Sequence, residues 1–258
     1  WPDFIITTKK DKFLIESGVW DINKPIVIKG ELKIQEGTIL RFSPNSYLII
    51  NGNLMINGTK TNPVLMTSYD KDSTWKGLYV YNNSKEKYYS EINSLKVSNT
   101  KNTNVGILNL TGGVTFYNTK IFIDDLEITD SQAEDALNIV NGELSIGKMN
   151  IMRSKSDAFD CDFCEGLISD LNLEDIGGDG LDISGSNINA VISKANNVKD
   201  KVVSIGEESI AKLSINAVMN SYLAAAIKDG SQAEIKLKNT IFQLKNFLDK
   251  ISYLMKIF

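Results

Sequence analysis

The chain has 258 residues, of which 42% are hydrophobic, so it is long enough to bury one substantial core; its formal net charge is −4. It has no basic excess, which argues against a nucleic-acid partner, and no apolar run approaches the roughly 20 residues that span a bilayer as a helix. The sequence begins at Trp1 without a Met or a signal peptide, so we expect a processed or excised piece of a larger multidomain chain.

Residues 1–112 are predicted to form strands of irregular spacing. Short apolar stretches are separated by Gly and Asn turns, as in 25–28, 31–34, 38–42, 47–50 and 53–56. The stretch 72–80 opens a further coil. Residues 82–104 are rich in Lys, Asn and Ser, and we expect them to form an exposed insertion loop.

Five later segments align on one another at a constant interval of 22 residues. They are 136–140, 158–162, 180–184, 202–206 and 224–228, and 114–118 extends the series backwards. A fixed period in this range indicates a solenoid, in which each repeat is one turn. Apolar and polar residues alternate within each segment, which is typical of a short strand with one buried face.

A repeat of 22 residues leaves no room for a crossover helix, so successive coils must stack strand on strand, in parallel. The sequence therefore predicts an all-β fold, a single-stranded right-handed parallel β-helix over residues 1–237; the handedness follows from the strong preference of parallel crossovers. A β-sandwich would also contain evenly spaced short strands. It would not predict matching columns at one interval across five coils.

The C-terminal residues 238–258 change period. Apolar residues fall at helical spacing, at 241, 244, 247, 248, 251, 254, 255 and 258. This pattern predicts an amphipathic helix. An open solenoid end exposes core and strand edge, so we interpret this helix as a cap. A helix that binds a membrane surface or a partner is the alternative, as is a terminus that frays.

The two cysteines, Cys161 and Cys164, have the spacing of a redox or zinc motif. Cys161 falls in an inward column, where a small buried hydrophobe is the simpler interpretation. The chain has no His, which argues against a zinc site. The cysteines alone leave the compartment undecided.

Several stretches carry a family resemblance. They are 36–52, 75–80, 112–118, 133–140, 155–163 and 177–186. Over residues 20–237 the chain resembles right-handed parallel β-helix proteins of the pectin-lyase-like superfamily, and most of all the β-helix domains of bacterial surface proteins, some of them fused to spore-coat CotH-like kinase domains. The resemblance implies an extracellular or bacterial cell-surface module.

Aspartates recur at the 22-residue interval on positions that face outward. Asp160 and Asp182 share one column, Asp157 and Asp179 a neighbouring one, and Asp162 lies on the same strand as Asp160. Strands stack about 4.8 Å apart, so these residues predict an acidic patch.

Two interpretations of the patch remain open. Carboxylates of Asp160 and Asp182 could hold Ca²⁺, a cation that prefers several oxygen ligands; in pectate lyases, which this chain resembles in fold, calcium bridges to an acidic polysaccharide. Alternatively, the aspartates are solvated or cap turn amides. Two exposed carboxylates at ~5 Å repel by roughly 1 kcal/mol in a water-like dielectric and by ~3 kcal/mol at an effective dielectric constant near 20. A stable solenoid tolerates that without a metal, and no cofactor other than calcium is indicated.

Catalysis has few candidates. The absence of His excludes every His-based mechanism. Arginine occurs only at Arg41 and Arg153, and Arg153, in the turn before Asp157, is the one we place near the patch. It could instead pair with an aspartate across the coil turn. Hydrolysis by paired carboxylates stays open in principle, since the column spacing is near the separation used by retaining enzymes.

Two functional hypotheses follow. The first is a non-catalytic extracellular or cell-surface module that presents its acidic face, including Arg153, to a carbohydrate or protein. The second is a polysaccharide lyase or a related carbohydrate-active enzyme that uses the aspartates, with calcium. The second depends partly on fold analogy, and fold does not fix function.

Overall fold

The computed structural model describes residues 2–83, 88–105 and 108–237. It is an all-β, right-handed parallel solenoid of about ten turns with coils of about 22 residues, which confirms the predicted fold class. Across these three ranges the chain forms no helix, and so none that could cross a membrane. The helix predicted over 238–258 lies outside the described residues.

The described residues contain twenty-six strands. In chain order they are β1 (Ile5–Lys9), β2 (Lys12–Ile15), β3 (Val19–Ile22), β4 (Ile26–Lys29), β5 (Glu31–Ile34), β6 (Ile39–Phe42), β7 (Leu48–Asn51), β8 (Leu54–Ile56), β9 (Val64–Ser68), β10 (Leu78–Tyr81), β11 (Tyr88–Ser98), β12 (Thr103–Val105), β13 (Leu108–Leu110), β14 (Gly112–Tyr117), β15 (Thr119–Thr129), β16 (Asp135–Val140), β17 (Glu143–Ser154), β18 (Asp157–Asp162), β19 (Glu165–Ile176), β20 (Leu181–Ser184), β21 (Asn187–Val198), β22 (Lys201–Gly206), β23 (Ile210–Ile215), β24 (Val218–Met219), β25 (Leu223–Ile227) and β26 (Gln232–Leu237).

The strands form two large sheets that enclose the core. The narrow sheet has nine strands in the order β25-β22-β20-β18-β16-β14-β10-β7-β4. The wide sheet has 15 strands and includes the long β15, β17, β19 and β21, while β12 and β13 form a separate hairpin. Every pairing is parallel except β1 with β2 and β12 with β13.

Inward columns of the narrow sheet fill the core as the 22-residue interval predicts. Leu137, Phe159, Leu181 and Val203 lie in register from coil to coil and are fully buried. Cys161 occupies the neighbouring inward column beside Ile139 and Ile183 and is fully buried too. A large aromatic pair, Phe42 stacked on Trp75 with ring centroids 3.9 Å apart, fills the core of the earlier coils.

The segment 114–118 belongs to the series, but the predicted alignment was wrong by one residue. Val114 pairs with Leu137, an offset of 23 residues, and Thr115 therefore pairs with Asn138. A shift of one residue exchanges the two faces of a strand. Val114 is consequently buried in the Leu137 column, and Thr115 faces outward.

The expectation of an exposed loop over 82–104 was also wrong for most of its length. Tyr88–Ser98 forms β11, which pairs with β8, β9 and β15. Its apolar residues Ile92, Leu95 and Val97 are buried. They alternate with the polar residues that dominate the composition of this segment. The alternation of apolar and polar residues therefore indicates a strand, although the overall composition suggests a loop.

Left-handed backbone conformations recur in the turns that join the sheets. The turns from the wide to the narrow sheet hold one such residue per coil at Asn99, Asp130, Arg153, Asp175, Asn197 and Asn220. The turns from the narrow to the wide sheet hold them at Asn118, Asn141, Phe163, Gly185, Glu207, Glu208, Asp229 and Gly230. Asn, Asp and Gly tolerate this conformation best, so Arg153, Phe163 and the two glutamates are exceptions.

Candidate functional site

An outward column of polar residues crosses the middle of the narrow sheet. Asn138, Asp160, Asp182 and Ser204 lie in register on β16, β18, β20 and β22, and we call these four the aspartate column. The structure thus brings Asp160 and Asp182 together on adjacent coils, as the sequence predicted. Thr115 precedes the column on β14.

A second column lies where the strands of the narrow sheet begin. It consists of Asp135, Asp157, Asp179 and Lys201, and we call it the turn column. Oδ1 of Asp157 accepts a hydrogen bond of 2.7 Å from the Asp179 amide, and Oδ1 of Asp179 accepts one of 2.9 Å from the Lys201 amide. Each carboxylate therefore caps an amide of the next coil.

Close backbone approach reinforces this capping. A Cβ atom on Gly178 would lie 1.9 Å from Oδ1 of Asp157, so only glycine allows the carboxylate to reach the amide of Asp179. The Lys201 ammonium lies 3.0 Å from Oδ1 of Asp179, and both side chains are largely buried. Asp157 and Asp179 thus have a structural explanation within the fold.

Asn138 links the two columns. Its side-chain amide donates to Oδ2 of Asp135 at 3.1 Å and to Oδ2 of Asp160 at 3.2 Å. One amide group therefore donates both of its hydrogens, to carboxyl groups on two coils. This holds Asp135 and Asp160 in fixed positions on the outer face of the narrow sheet.

Burial changes the protonation of the carboxyl groups. It raises the pKa of Asp160 to about 8, with a further contribution from the charges of Asp162, Asp135 and Asp182. The pKa of Asp135 is raised to about 6, mainly by burial and against the hydrogen bond from Asn138. Asp160 therefore carries a proton for much of the time near neutral pH, which removes most of the repulsion expected along the column.

The pKa values of Asp157, Asp162 and Asp182 are shifted in the same direction. Burial raises the pKa of Asp182, and the Ser204 hydroxyl partly offsets that rise. The pKa of Asp157 is raised by burial against the amide hydrogen bond from Asp179. Burial and then the charge of Glu207 raise the pKa of Asp162, which lies half-buried at the end of β18. The patch is therefore less negative near neutral pH than its five carboxyl groups suggest.

Three oxygens along this face are buried without a hydrogen-bond partner in the described part of the chain. They are Oγ1 of Thr115, Oδ1 of Asp182 and Oγ of Ser204. Ser204 is fully buried and lies next to Asp182 in register, yet no hydrogen bond of normal geometry joins them. Buried polar atoms without hydrogen-bond partners carry a free-energy cost.

Arg153 does not lie over the aspartates. Its guanidinium makes two parallel hydrogen bonds to Asp130, of 2.7 Å from Nε to Oδ1 and 2.9 Å from Nη2 to Oδ2. Both side chains are about half exposed. The charges that act most on Arg153 belong to Asp130, Asp175 and Glu127, which are outside the patch. Arg153 thus takes the alternative considered above, a pairing across the coil turn.

The aspartate column offers little to a calcium ion. Ca²⁺ takes six to eight oxygen ligands. Asp160 and Asp182 supply two carboxyl groups, and the nearby Asn138 presents its donors to carboxyl groups rather than an oxygen to a cation. Within the three described ranges, no group of three or more His, Cys, Asp and Glu side chains is arranged to hold a metal.

Both cysteines are buried free thiols. The Cys164 thiol donates to the carbonyl of Ile139 at 3.2 Å, and the Cys164 amide donates to Oγ of Ser186 at 2.8 Å. The Ser186 amide in turn donates to Oγ of Ser209 at 3.0 Å, and the Ser209 amide to Oγ of Ser231 at 3.1 Å. Cys164 therefore begins a column of small polar side chains, which we call the serine ladder.

Sequence reasoning missed a cavity beside the end of β18. It has a volume of about 430 Å³, and its lining includes Asn141, Phe163, Glu165, Asn187, Glu208 and Ile210. We call it the turn cavity. A signal was present in the sequence, since Phe163 falls where neighbouring coils have Asn118, Asn141 and Gly185. An aromatic residue at a turn position of this kind is not explained by the turn.

The sequence matches no family model, and no curated protein is significantly similar to it. Among solved structures, one described as "Geobacillus virus E2 - ORF18" aligns with 83% of this chain and 53% of that chain, at 8% identity and a TM-score of 0.21. The present chain thus spans about half the length of that protein. A similarity this low carries no argument about fold or function.

Proposed function

We propose that this protein is a non-catalytic module at the cell surface or outside the cell, and that the outer face of its narrow sheet binds a carbohydrate or a protein. The observation that supports this proposal most directly is the aspartate column. It holds carboxyl groups on adjacent coils at a cost in free energy and leaves buried oxygens without partners. Packing of the solenoid requires neither feature.

The contrast with the turn column strengthens the argument. Asp157 and Asp179 receive amide hydrogen bonds that explain their presence. Oδ1 of Asp182 and Oγ of the neighbouring Ser204, by contrast, have no hydrogen-bond partner among the described residues. A ligand with hydroxyl or amide donors would bond to the carboxyl groups of Asp160 and Asp182, which remain partly exposed on this face.

The experiment measures retention of the protein by a panel of immobilised polysaccharides, with and without Ca²⁺. We expect retention by at least one glycan and weakening of about tenfold or more in Asp160→Asn and Asp182→Asn. Asp124→Asn, which removes an exposed carboxylate from the wide sheet, is the matched control and should bind normally. Equal binding by all three variants would contradict a role for the aspartate column.

A polysaccharide lyase or related enzyme is the second candidate. It is favoured by one observation: a carboxyl group whose pKa is raised to about 8, Asp160, lies directly beside Asp182 in the sheet. Two carboxyl groups with different proton affinities can act as acid and base. To test this candidate, the protein is incubated with uronic-acid polymers, with and without Ca²⁺. Unsaturated products are detected by their ultraviolet absorbance. Retention without product in either condition supports the binding module.

A further inference from the structure

The turn cavity is a depression that is widely open to solvent. Its volume of about 430 Å³ falls in the range of roughly 300–1,000 Å³ that is usual for such sites. Its lining residues come from four successive coils, from Asn141 in the first to Ile210 in the last. Phe163 follows Asp162 of the acidic patch directly, so the cavity adjoins the end of the narrow sheet, at the turns that lead into the wide sheet.

Phe163 is the most informative residue of this cavity. It is 62% exposed and has a φ of 54°, so it gains little from burial and adopts a conformation that bulky residues avoid. Its ring lies over Gly185, where an added Cβ would come within 2.7 Å of Cδ1 and Cε1. Neither packing nor turn geometry favours a phenylalanine here, and strained residues of this kind concentrate at functional sites.

The opposite part of the cavity adds a second apolar surface and a polar rim. Ile210 is 52% exposed and lies in register with Asn187, which lies in register with Glu165. Glu208 completes the rim with another backbone of positive φ. The lining is therefore mostly polar, and Phe163 and Ile210 are its two exposed apolar side chains.

The charge of the cavity is one-sided. Asp162 adjoins the cavity at Phe163, and Glu165 and Glu208 line it. No Lys or Arg is among its lining residues, and neither glutamate forms an ion pair within the described ranges. A ligand that carries carboxylates would meet repulsion here, whereas hydroxyl groups would find acceptors in Glu165 and Glu208 and an amide in Asn187.

We propose that the turn cavity binds a hexopyranose unit of an uncharged glycan and discriminates against uronic-acid polymers. The apolar face of the sugar ring stacks on Phe163 and contacts Ile210, while the hydroxyl groups bond to Glu165, Asn187 and Glu208. This inference rests on the proposed function, since it names the class of carbohydrate that the face of the narrow sheet recognises.

The first test compares ligands by isothermal titration calorimetry at physiological salt. The probes are neutral hexasaccharides of β-linked glucose, β-linked mannose and α-linked glucose, and an oligogalacturonate of the same length. We expect at least one neutral hexasaccharide to bind about tenfold or more tightly than the galacturonate. Equal or tighter binding of the galacturonate would overturn the inference, as would a lack of binding by all three neutral probes.

The second test separates recognition by Phe163 from folding. Asn fits the left-handed position better than Phe, so Phe163→Asn should keep or raise the thermal midpoint while it weakens the neutral hexasaccharide by about tenfold or more. Phe163→Trp should retain binding. Phe122→Ala, which removes another exposed aromatic ring on the wide sheet, is the control and should bind normally. Full binding by Phe163→Asn would overturn the inference.

A third comparison distinguishes failure of this inference from failure of the proposed function. If Phe163→Asn binds normally while Asp160→Asn and Asp182→Asn do not, the aspartate column binds the glycan and the turn cavity does not. If the wild-type protein binds no polysaccharide and no protein ligand, the proposed function itself fails.

Discussion

Asp160 illustrates how one buried carboxyl group couples stability to pH. Its pKa in the folded protein is about 8, far above the value of roughly 4 expected in the unfolded chain. The folded state thus binds the proton more tightly, and the free energy of unfolding falls as pH rises between these two values. Below about pH 4 both states are protonated and the group costs nothing; above about pH 8 the full cost is present.

The first prediction concerns Asp160→Asn. The amide cannot ionise and keeps a similar shape, so we expect stability to increase by on the order of 2–4 kcal/mol at pH 7.5 and by little at pH 4. Urea denaturation of both proteins at a series of pH values measures this difference. Asp124→Asn, which replaces an exposed carboxyl group on the wide sheet, is the control. A stabilisation by Asp160→Asn that does not change with pH would contradict the assigned protonation.

Phe163 lowers stability for a different reason, which is backbone strain in a turn. It provides the second prediction. A bulky side chain in the left-handed region costs roughly 1–2 kcal/mol. Because Phe163 is 62% exposed, Phe163→Gly or Phe163→Asn should recover about 1 kcal/mol in urea denaturation at neutral pH. The same change at a well-placed turn residue, Asn141→Gly, should have a smaller effect. A loss of stability in Phe163→Asn would show that its ring contributes packing that outweighs the strain.

At the scale of an element, the serine ladder holds the narrow-to-wide turns together. Oγ of Ser186 accepts the amide of Cys164 and lies 2.9 Å from the carbonyl oxygen of Cys161 and 2.8 Å from that of Ser184. The hydroxyl therefore connects adjacent coils through backbone groups that are buried or partly buried. This explains why the position is small and polar in successive coils.

The third prediction follows from these contacts. Ser186→Ala leaves the buried Cys164 amide without an acceptor, so we expect a loss of about 1–3 kcal/mol. Cys164→Ser gives the first position of the serine ladder the same hydroxyl side chain that its later positions have. This variant should change stability by less than about 1 kcal/mol. Chemical denaturation of the two variants side by side gives the comparison. Equal effects would contradict the ladder as a stabilising element.

The elements also show what the sequence could and could not reveal. Equal spacing predicted the registers of Leu137, Phe159 and Leu181, because coils of the same length bring matching positions together. It failed at Val114, where one extra residue shifts the register, and at β11, where a polar composition covers an alternating strand.

Turn residues were the other limit. The left-handed conformation of Phe163 depends on how its turn meets the coil beneath it, and no pattern in a single repeat states this. The pairing of Arg153 with Asp130 was anticipated only as one of two alternatives, because a side chain on a turn has no periodicity to fix its direction. The acidic columns were predictable, whereas the cavity beside them was not.

On the scale of the whole molecule, each coil contacts mainly its two neighbours, so stability should vary along the axis. Strands β18 and β20 each bury half of their residues, whereas β25 and β26 have intermediate or exposed positions throughout. We therefore expect local stability to be lower in the last described coil than around β18 and β20.

The fourth prediction is a gradient of hydrogen exchange. Amides of β25 and β26 should exchange at least about tenfold faster than those of β18 and β20, because their residues are less buried and opening there breaks fewer contacts. Native-state exchange followed by mass spectrometry of peptides resolves these strands. Uniform protection from β18 to β26 would indicate a single cooperative unit rather than an array of coupled coils.

The two thiols make it possible to measure how often the coil that contains them opens. Cys161 is fully buried and burial raises its pKa, so an alkylating reagent has neither access to this thiol nor a reactive thiolate to attack while the coil is closed. The time course of adduct formation on the native protein therefore records how often this one coil opens, without any engineered label. Since the sequence contains only these two cysteines, the appearance of modified mass reports the opening of a single, known place in the molecule.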